Sequence, residues 1–411
     1  MLTLRPYQQR ALAGILAAYA EGKRAALAVS PTGSGKCLGI GTLVLMFDGR
    51  IVPVESVQPG DLLMGPDSTP RRVLSTTRAR GPLYRIEPLK GAPWVCNDVH
   101  VLTLVETESG RVVDIDLPSY LAESKWFRHI HKQSAPPNGV DFPERAEPLP
   151  VDPYFVGVWY GDGTKGLRGV GVTKPDAEIL ALMQETAEHW GLHVRTSAGD
   201  RCPTHHIIGS KRNARGQVEN SLLEAMRLVY GDGSAMPAEY LTASRKDRRS
   251  LLAGLLDSDG YLHNGCYEIV QKNKAIADGV CFLARSLGKR AIMVPKIVNG
   301  ETYWRVSLSG NFTDLPMRLE RKKPGARLQV KCATRTGFTV VPIGEGEYAG
   351  FELDGDGRFL LGDFTVTHNT VIGLSVRSRQ PGPHLWIAPS NDLVRQVVER
   401  LSREGAACSW F

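Results

Sequence analysis

The glycine-rich loop Ser30-Pro31-Thr32-Gly33-Ser34-Gly35-Lys36-Cys37 has the parts of a phosphate cradle except the last. Glycines let the backbone wrap phosphate oxygens, a Lys adds charge, and a Ser or Thr hydroxyl follows to hold Mg²⁺. Here a thiol stands in the place of that hydroxyl, and a soft sulfur holds Mg²⁺ badly. A hydroxyl appears far downstream at Thr370, after His368-Asn369 and before Val371-Ile372-Gly373-Leu374. Deleting residues 37–369 restores Gly35-Lys36-Thr370, so the loop is interrupted, not degenerate. The interruption constrains the fold. Groups at Cys37 and Asn369 can act on adjacent bonds only if both ends of the intervening chain meet.

The 411 residues are 42% hydrophobic and 23% charged, which fits a globular chain of several domains. No apolar run reaches the roughly 18 residues of a membrane span, and the start lacks a signal-peptide core. Seven scattered cysteines, without zinc-ligand spacing, argue for a reducing compartment, and a cytoplasmic location is expected. A net charge of +7 is compatible with a polyanionic partner.

Residues 5–36 read as a helix, the apolar strand Ala25-Ala26-Leu27-Ala28-Val29, and the loop. After Thr370 come a helix, the strand Leu385-Trp386-Ile387-Ala388-Pro389 and the amphipathic helix Asn391–Glu404. Leu4-Arg5-Pro6-Tyr7-Gln8-Gln9 resembles the adenine-reading segment of superfamily 2 DEAD/DEAH-type helicases. Ala388-Pro389-Ser390-Asn391-Asp392-Leu393-Val394-Arg395-Gln396 is similar to the next motif of the same enzymes. The resemblance implies ATP-Mg bound by Gln8, Gly33, Ser34, Gly35, Lys36 and Thr370 once the loop is whole. No Asp-Glu pair or second helicase lobe follows, so the chain as it stands is not expected to hydrolyse ATP.

Residues 37–369 begin with Cys and end with His-Asn before Thr, a reagent set for cutting out what lies between. Cys37 is a nucleophile for the Lys36 carbonyl, and Thr370 can take the acyl group on its hydroxyl. Asn369 can cyclise onto its own carbonyl, polarised by His368. The strand and turn Leu38–Gly49, followed by Ile51–Asp61 with its Pro59-Gly60-Asp61 turn, looks like the N-terminal splicing block of inteins. Arg358–Asn369 looks like the C-terminal block. Asn97-Asp98-Val99-His100 fits the internal block in which families carry Thr-x-x-His. That implies His100 as acid for the Lys36–Cys37 amide nitrogen, with Asn97 replacing the Thr that helps hold it. Near Gly350, where many inteins carry an assisting Asp, the neighbours Asp354, Asp356 and Asp363 stay open alternatives.

One domain's length suffices for splicing, and the surplus contains two similar stretches. Phe155-Val156-Gly157-Val158-Trp159-Tyr160-Gly161-Asp162-Gly163 is one, and Leu252-Ala253-Gly254-Leu255-Leu256-Asp257-Ser258-Asp259-Gly260 is the other. The second matches the LAGLIDADG signature closely, whereas the first has Tyr160 at the first acidic position. Each reads as an apolar helix with small residues for close packing and a terminal Asp-Gly, the Gly acting as helix stop. An Asp at a helix C-terminus faces the negative end of the dipole, a cost that bound Mg²⁺ would offset. Asp162 and Asp259 are therefore candidate metal ligands and catalytic carboxylates. Asp162 to Gly191 and Asp259 to Gly288 both span 29 residues, each running strand, Lys, helix, which marks an internal repeat. Lys174 and Lys272 occupy the places where such homing endonucleases carry a lysine that activates water or steadies phosphate. A further family lysine, ahead of Met236-Pro237, is Ser234 here. Basic runs at Lys211–Arg215, Arg245–Arg249 and Arg318–Lys323 suit phosphate contacts.

The resemblances imply a mixed fold. Fragments of an α/β P-loop helicase (1–36 and 370–411) flank an all-β Hint horseshoe splicing domain (37–147 and 331–369). Inserted in it is an α+β pseudo-two-fold LAGLIDADG (DOD-type) homing endonuclease domain (148–330). The implied function is a helicase precursor whose intein self-excises without a cofactor and carries a Mg²⁺-dependent, site-specific nuclease. The expected partner is double-stranded DNA, the uninterrupted helicase gene, with no membrane and a monomeric insert. A splicing intein with a nuclease-dead DNA-binding domain is the alternative.

Overall fold

Short apolar stretches broken by glycine turns make strands of most of residues 38–116 and 335–368, whereas residues 153–325 alternate helices with strands. The computed structural model describes residues 36–164, 169–199, 202–210, 218–231, 233–325 and 331–369. Gln8, Gly33, Ser34, Gly35 and Thr370, with both helicase-like flanks, lie outside the described residues. The fold is mixed α/β with several sheets. No helix among the described residues is long and apolar enough to cross a membrane.

The chain divides into two compact units, one up to Ala135 and again from Arg335, the other Pro136–Thr334. In the first, a five-stranded sheet runs in the order Phe338–Leu353, Leu38–Gly39, Trp94–Asn97, Pro70–Pro88 and Leu62–Met64. Phe338–Leu353 also pairs with Pro70–Pro88 along nearly its whole length, from Phe338 opposite Pro88 to Leu353 opposite Val73. A second sheet pairs Val101–Glu106 with Val112–Asp116, with His131–Ser134 and with the C-terminal strand Val366–His368. Leu38, Val44, Leu63, Ile86, Leu104, Phe351 and Phe359 fill the core.

The second unit is built twice over. Helix α1 (Pro153–Asp162) is followed by strand Val170–Thr173, helix α2 (Ala177–His189) and strands His193–Ser197 and Thr204–Ile208. Helix α3 (Arg245–Ser258) is followed by strand Cys266–Gln271, helix α4 (Lys274–Ser286) and strands Arg290–Val298 and Glu301–Ser309. In both sheets the last of these strands lies between the other two, antiparallel to each. The second sheet adds an edge strand, Tyr261–His263. Gly191 and Gly288 end α2 and α4 with φ of 66° and 72°, so the internal repeat extends to the turn residues.

α1 and α3 meet backbone to backbone. A Cβ on Gly254 would lie 2.1 Å from the Tyr154 carbonyl oxygen, and one on Gly157 would lie 2.3 Å from that of Leu251. Phe155, Trp159, Leu251 and Leu255 around this contact are fully buried. The expected glycine stops work differently from a left-handed cap. Gly163 has φ −79°, and neither it nor Gly260 has a positive φ. Instead each packs where a Cβ would strike a carbonyl of the preceding turn, Trp159 O at 2.3 Å and Leu256 O at 2.5 Å.

Residues 136–141 belong with the second unit because Arg248, fully buried, ties them in. Its guanidinium donates to the carbonyls of Val140 at 2.8 Å, Ala243 at 2.8 Å and Ser286 at 3.1 Å.

Candidate active sites

Cys37 leads into the strand Leu38–Gly39, held between Phe338–Leu353 and Trp94–Asn97. Its main chain is clamped by Asn97. Asn97 Oδ1 accepts from Cys37 N at 3.1 Å, and Asn97 N donates to Cys37 O at 3.1 Å. The sequence suggested Asn97 as a support for His100, yet its side chain grips the nucleophile's own amide. Cys37 is 1% exposed, and its Sγ lies against Gly350. A Cβ on Gly350 would come within 2.6 Å of Sγ and 3.0 Å of the Lys36 carbonyl oxygen.

The next residue of that strand serves the other end. The Phe351 carbonyl accepts a hydrogen bond from Asn369 Nδ2, while Asn369 N donates to Gly357 O at 2.8 Å. Consecutive residues of one strand therefore meet both ends of the interruption, as adjacent-bond chemistry requires.

His100 is buried beside them, its ring edge-on to Trp94 at 5.5 Å. Nε2 lies 2.6 Å from Thr367 Oγ1. Burial, with Lys36 and His368 adding to it, pushes the His100 pKa down to about 3, against an opposing pull from the Cys37 main chain. The ring is neutral at pH 7. His368, in the strand between Val101 and Arg358, is depressed in the same direction by burial first and Lys36 second, with Asp114 opposing.

None of the three candidate aspartates is bonded toward Cys37. Asp354 accepts from Arg72 N at 2.7 Å, Asp356 from Arg71 Nε at 3.1 Å, and Asp363 from Thr365 N at 3.0 Å. Asp363 is satisfied within its own turn, Asp356 by a neighbouring guanidinium and Asp354 by the main chain of another strand, and at the position facing Cys37 Sγ stands Gly350.

In the second unit the two signature helices end with Asp162 and Asp259. Lys174 bridges the pair of helices. Its Nζ lies 2.5 Å from Asp162 Oδ2 and 2.7 Å from the Ser258 carbonyl of α3. His205 steadies this lysine, Nε2 standing 3.0 Å from the Lys174 carbonyl. Asp259 Oδ2 accepts from Gln271 Nε2 at 2.7 Å. Gln271, not Lys272, thus stands where Lys174 does in the first repeat. Lys272 instead makes an exposed ion pair with Glu301 at 2.7 Å. Neighbours at a strand end point to opposite faces, so a one-residue offset removes Lys272 from the carboxylates.

Sequence reasoning missed Lys322, which stands far from Asp259 in the chain. Its Nζ donates to the carbonyls of Leu256, Asp257 and Ser258 at 3.1, 2.9 and 2.7 Å, capping the last turn of α3. It is buried, and desolvation, with Lys174 next, lowers its pKa from 10.5 to about 8. The unfolded state then holds a proton that the folded state has released between about pH 8 and 10.5, so this group makes stability rise with pH there. Urea midpoints measured across that window should rise less steeply in Lys322→Met than in the parent.

The basic runs divide. Lys211–Arg215 lies outside the described residues. Of the others, Arg248 and Lys322 turn inward, Arg318 pairs with Glu185 at 2.8 Å and Arg321 with Asp176 at 2.9 Å.

Among the described residues no three His, Cys, Asp or Glu side chains gather as a metal cluster. The oxygen donors are two carboxylates at helix ends, with Asp162 25% exposed. That set suits Mg²⁺, which binds through one or two carboxylates and completes its shell with water and phosphate oxygens.

Residues 1–48 match the family model of the type III restriction enzyme res subunit, and residues 235–300 match that of homing endonucleases. The replicative DNA helicase DnaB of Mycobacterium intracellulare is 26% identical over 379 residues, 83% of this chain and 60% of the relative. The homothallic switching endonuclease of Saccharomyces cerevisiae is 26% identical over 170 residues, 36% of this chain and 29% of that protein. The chain thus spans less than two thirds of the curated relatives it matches. Among solved structures, variants of the homing endonuclease I-DmoI align over 39% of this chain and 89% of theirs at 16% identity and TM-score 0.30. The gp41-1 intein aligns over 21% and 61% at 23% identity and TM-score 0.17. Helicase-type sequence at the start, homing-endonuclease sequence within and the Cys37 and His368-Asn369 ends together support an intein with a homing endonuclease in a helicase.

Proposed function

We propose that residues 37–369 excise themselves and join Lys36 to Thr370, and that the inserted unit cuts or binds double-stranded DNA. Cys37 Sγ, as thiolate, adds to the Lys36 carbonyl carbon. The bond to the Cys37 nitrogen breaks, that nitrogen takes a proton, and a thioester remains. The Thr370 hydroxyl attacks the thioester, forming an ester and returning the thiol to Cys37. Asn369 Nδ2 then attacks its own carbonyl carbon, so the bond to the Thr370 nitrogen breaks and Asn369 becomes a cyclic imide. The freed amine displaces the Thr370 oxygen and leaves an amide between Lys36 and Thr370. His100 and His368, neutral in their buried places, act as hydrogen-bond donors to the bonds that break.

The observation that carries this reading is the strand Phe338–Leu353, with Gly350 at Cys37 Sγ and the Phe351 carbonyl at Asn369 Nδ2. A Hint-type horseshoe around it is part of the proposal. Intact mass after expression under reducing conditions tests it. The expected products are a free 37–369 segment and a Lys36–Thr370 ligated chain. A stable full-length chain without any cleavage product overturns it.

For the inserted unit we favour a homing endonuclease with Asp162 and Asp259 as ligands of Mg²⁺, which supplies a Lewis acid for phosphodiester hydrolysis when bound. Lys174 then holds cationic charge at the helix ends, where it can steady a phosphate, while Lys322 caps the last turn of α3 from within. The nuclease-dead reading draws its support from the second repeat, which has Gln271 in the place of Lys174. Purified 37–369 segment, incubated with Mg²⁺ and DNA carrying the uninterrupted helicase gene, should give one double-strand break. Binding without a break would favour the nuclease-dead reading.

A further inference from the structure

Thr367 takes no part in the chemistry above, yet its hydroxyl is the hydrogen-bond partner of the histidine placed at the first scissile bond. Oγ1 and His100 Nε2 are 2.6 Å apart, and both residues are 1% exposed. His100 Nδ1 has no hydrogen-bond partner among the described residues, and the Cys37 main chain acts on the ring. A neutral imidazole carries one proton on two nitrogens, and the bond made by one nitrogen decides which keeps it. If Thr367 Oγ1–H donates to Nε2, the proton sits on Nδ1, the nitrogen left for the Cys37 amide. Removing the hydroxyl frees the ring to carry its proton on Nε2, where it is of no use to Cys37.

We infer that Thr367 is a positioning residue for the first splicing step, its hydroxyl fixing His100 as the Nδ1–H tautomer. The inference rests on the splicing reading. It also ties the two ends together, since Thr367 immediately precedes His368 on the strand Val366–His368. A distortion at the C-terminal junction then reaches the N-terminal one through a single hydrogen bond.

The test uses the full chain with Asn369→Ala, which blocks the cyclisation that breaks the bond to Thr370 while the thioester still forms, and dithiothreitol as the thiol that traps the thioester and releases residues 1–36. Long-range ¹H–¹⁵N spectra of His-labelled protein report each tautomer, the His100 signal being identified by its loss in His100→Phe. The parent should show His100 as Nδ1–H and cleave with dithiothreitol. Thr367→Val should cleave at least about tenfold more slowly, toward the roughly 10²-fold lost with a whole proton-transfer partner, and show Nε2–H or a mixture. Thr367→Ser should restore both rate and tautomer. An Nε2–H signal in the parent overturns the inference, as does a Thr367→Val chain that cleaves at the parent rate. A parent that never yields dithiothreitol-dependent cleavage overturns the splicing reading along with it.

Discussion

Cys37→Ala combined with Asn369→Ala is expected to leave one full-length species indefinitely, without free segment, ligated chain or single-cut fragment. The reason is that each end has its own bond-breaking group. With Cys37→Ala alone, Asn369 keeps its amide nitrogen and can still break the bond to Thr370, so a slow C-terminal cut is expected. With Asn369→Ala alone, the thioester still forms, and added thiol releases the N-terminal piece. Only the double substitution removes both routes. The remaining pathway is uncatalysed amide hydrolysis, slower by at least about 10⁶-fold. Time-resolved intact mass reads the result, and any product from the double variant at the parent's junctions would show that a further nucleophile operates.

Gly254→Val is expected to destabilise the second unit strongly. A Cβ there would stand 2.1 Å from the Tyr154 carbonyl and 3.1 Å from the Gly157 Cα, both backbone atoms that no rotamer change can move. Overpacking a tight core costs about 1–3 kcal/mol when side chains can yield. Here α1 and α3 must separate, exposing Trp159, Leu251 and Leu255, so a loss of about 3 kcal/mol or more is expected against a typical total of about 5–15 kcal/mol. Limited proteolysis should then cut within 136–334, and DNA binding should disappear. Junction cleavage should continue, because no group assigned to splicing lies in that unit. An unchanged urea midpoint would mean that the two helices pack less closely than these positions require.

The parts most legible in the sequence sit where the chemistry dictates their neighbours. Cys37 and Asn369 flank the two bonds that the proposed reaction breaks, with His368 next to Asn369, so their places in the chain are what suggest their roles. The paired Asp-Gly helices were legible because close packing requires small residues at set offsets, and Gly157 and Gly254 meet across that contact. What escaped reading is what depends on the path of the chain. Lys322 reaches the last turn of α3 from a short turn much later in the sequence. Gln271 displaced Lys272 through a one-residue offset at a strand end, a distinction that spacing alone does not make. Arg248 reads as part of a solvated basic run, yet it is fully buried, bonded to Val140, Ala243 and Ser286. The sequence placed Asn97 with His100, but its partner, the Cys37 main chain, is fixed only once Trp94–Asn97 pairs with Leu38–Gly39.

The strands at which the second unit leaves and rejoins the first have a consequence for how such a chain can change. Ser134 lies directly opposite Arg335, and Gln133 opposite Thr336, in one antiparallel ladder. To the surrounding sheet, everything between them is the loop of a hairpin. A loop's length enters the closure cost only logarithmically, about 0.6 kcal/mol per doubling, so the sheet is nearly indifferent to what that loop contains. A gain, loss or exchange of the whole inserted unit can therefore occur without shifting the register of a single strand that holds Cys37 and Asn369. Inheritance of the inserted unit and inheritance of the strands around Cys37 and Asn369 are separable events in this architecture.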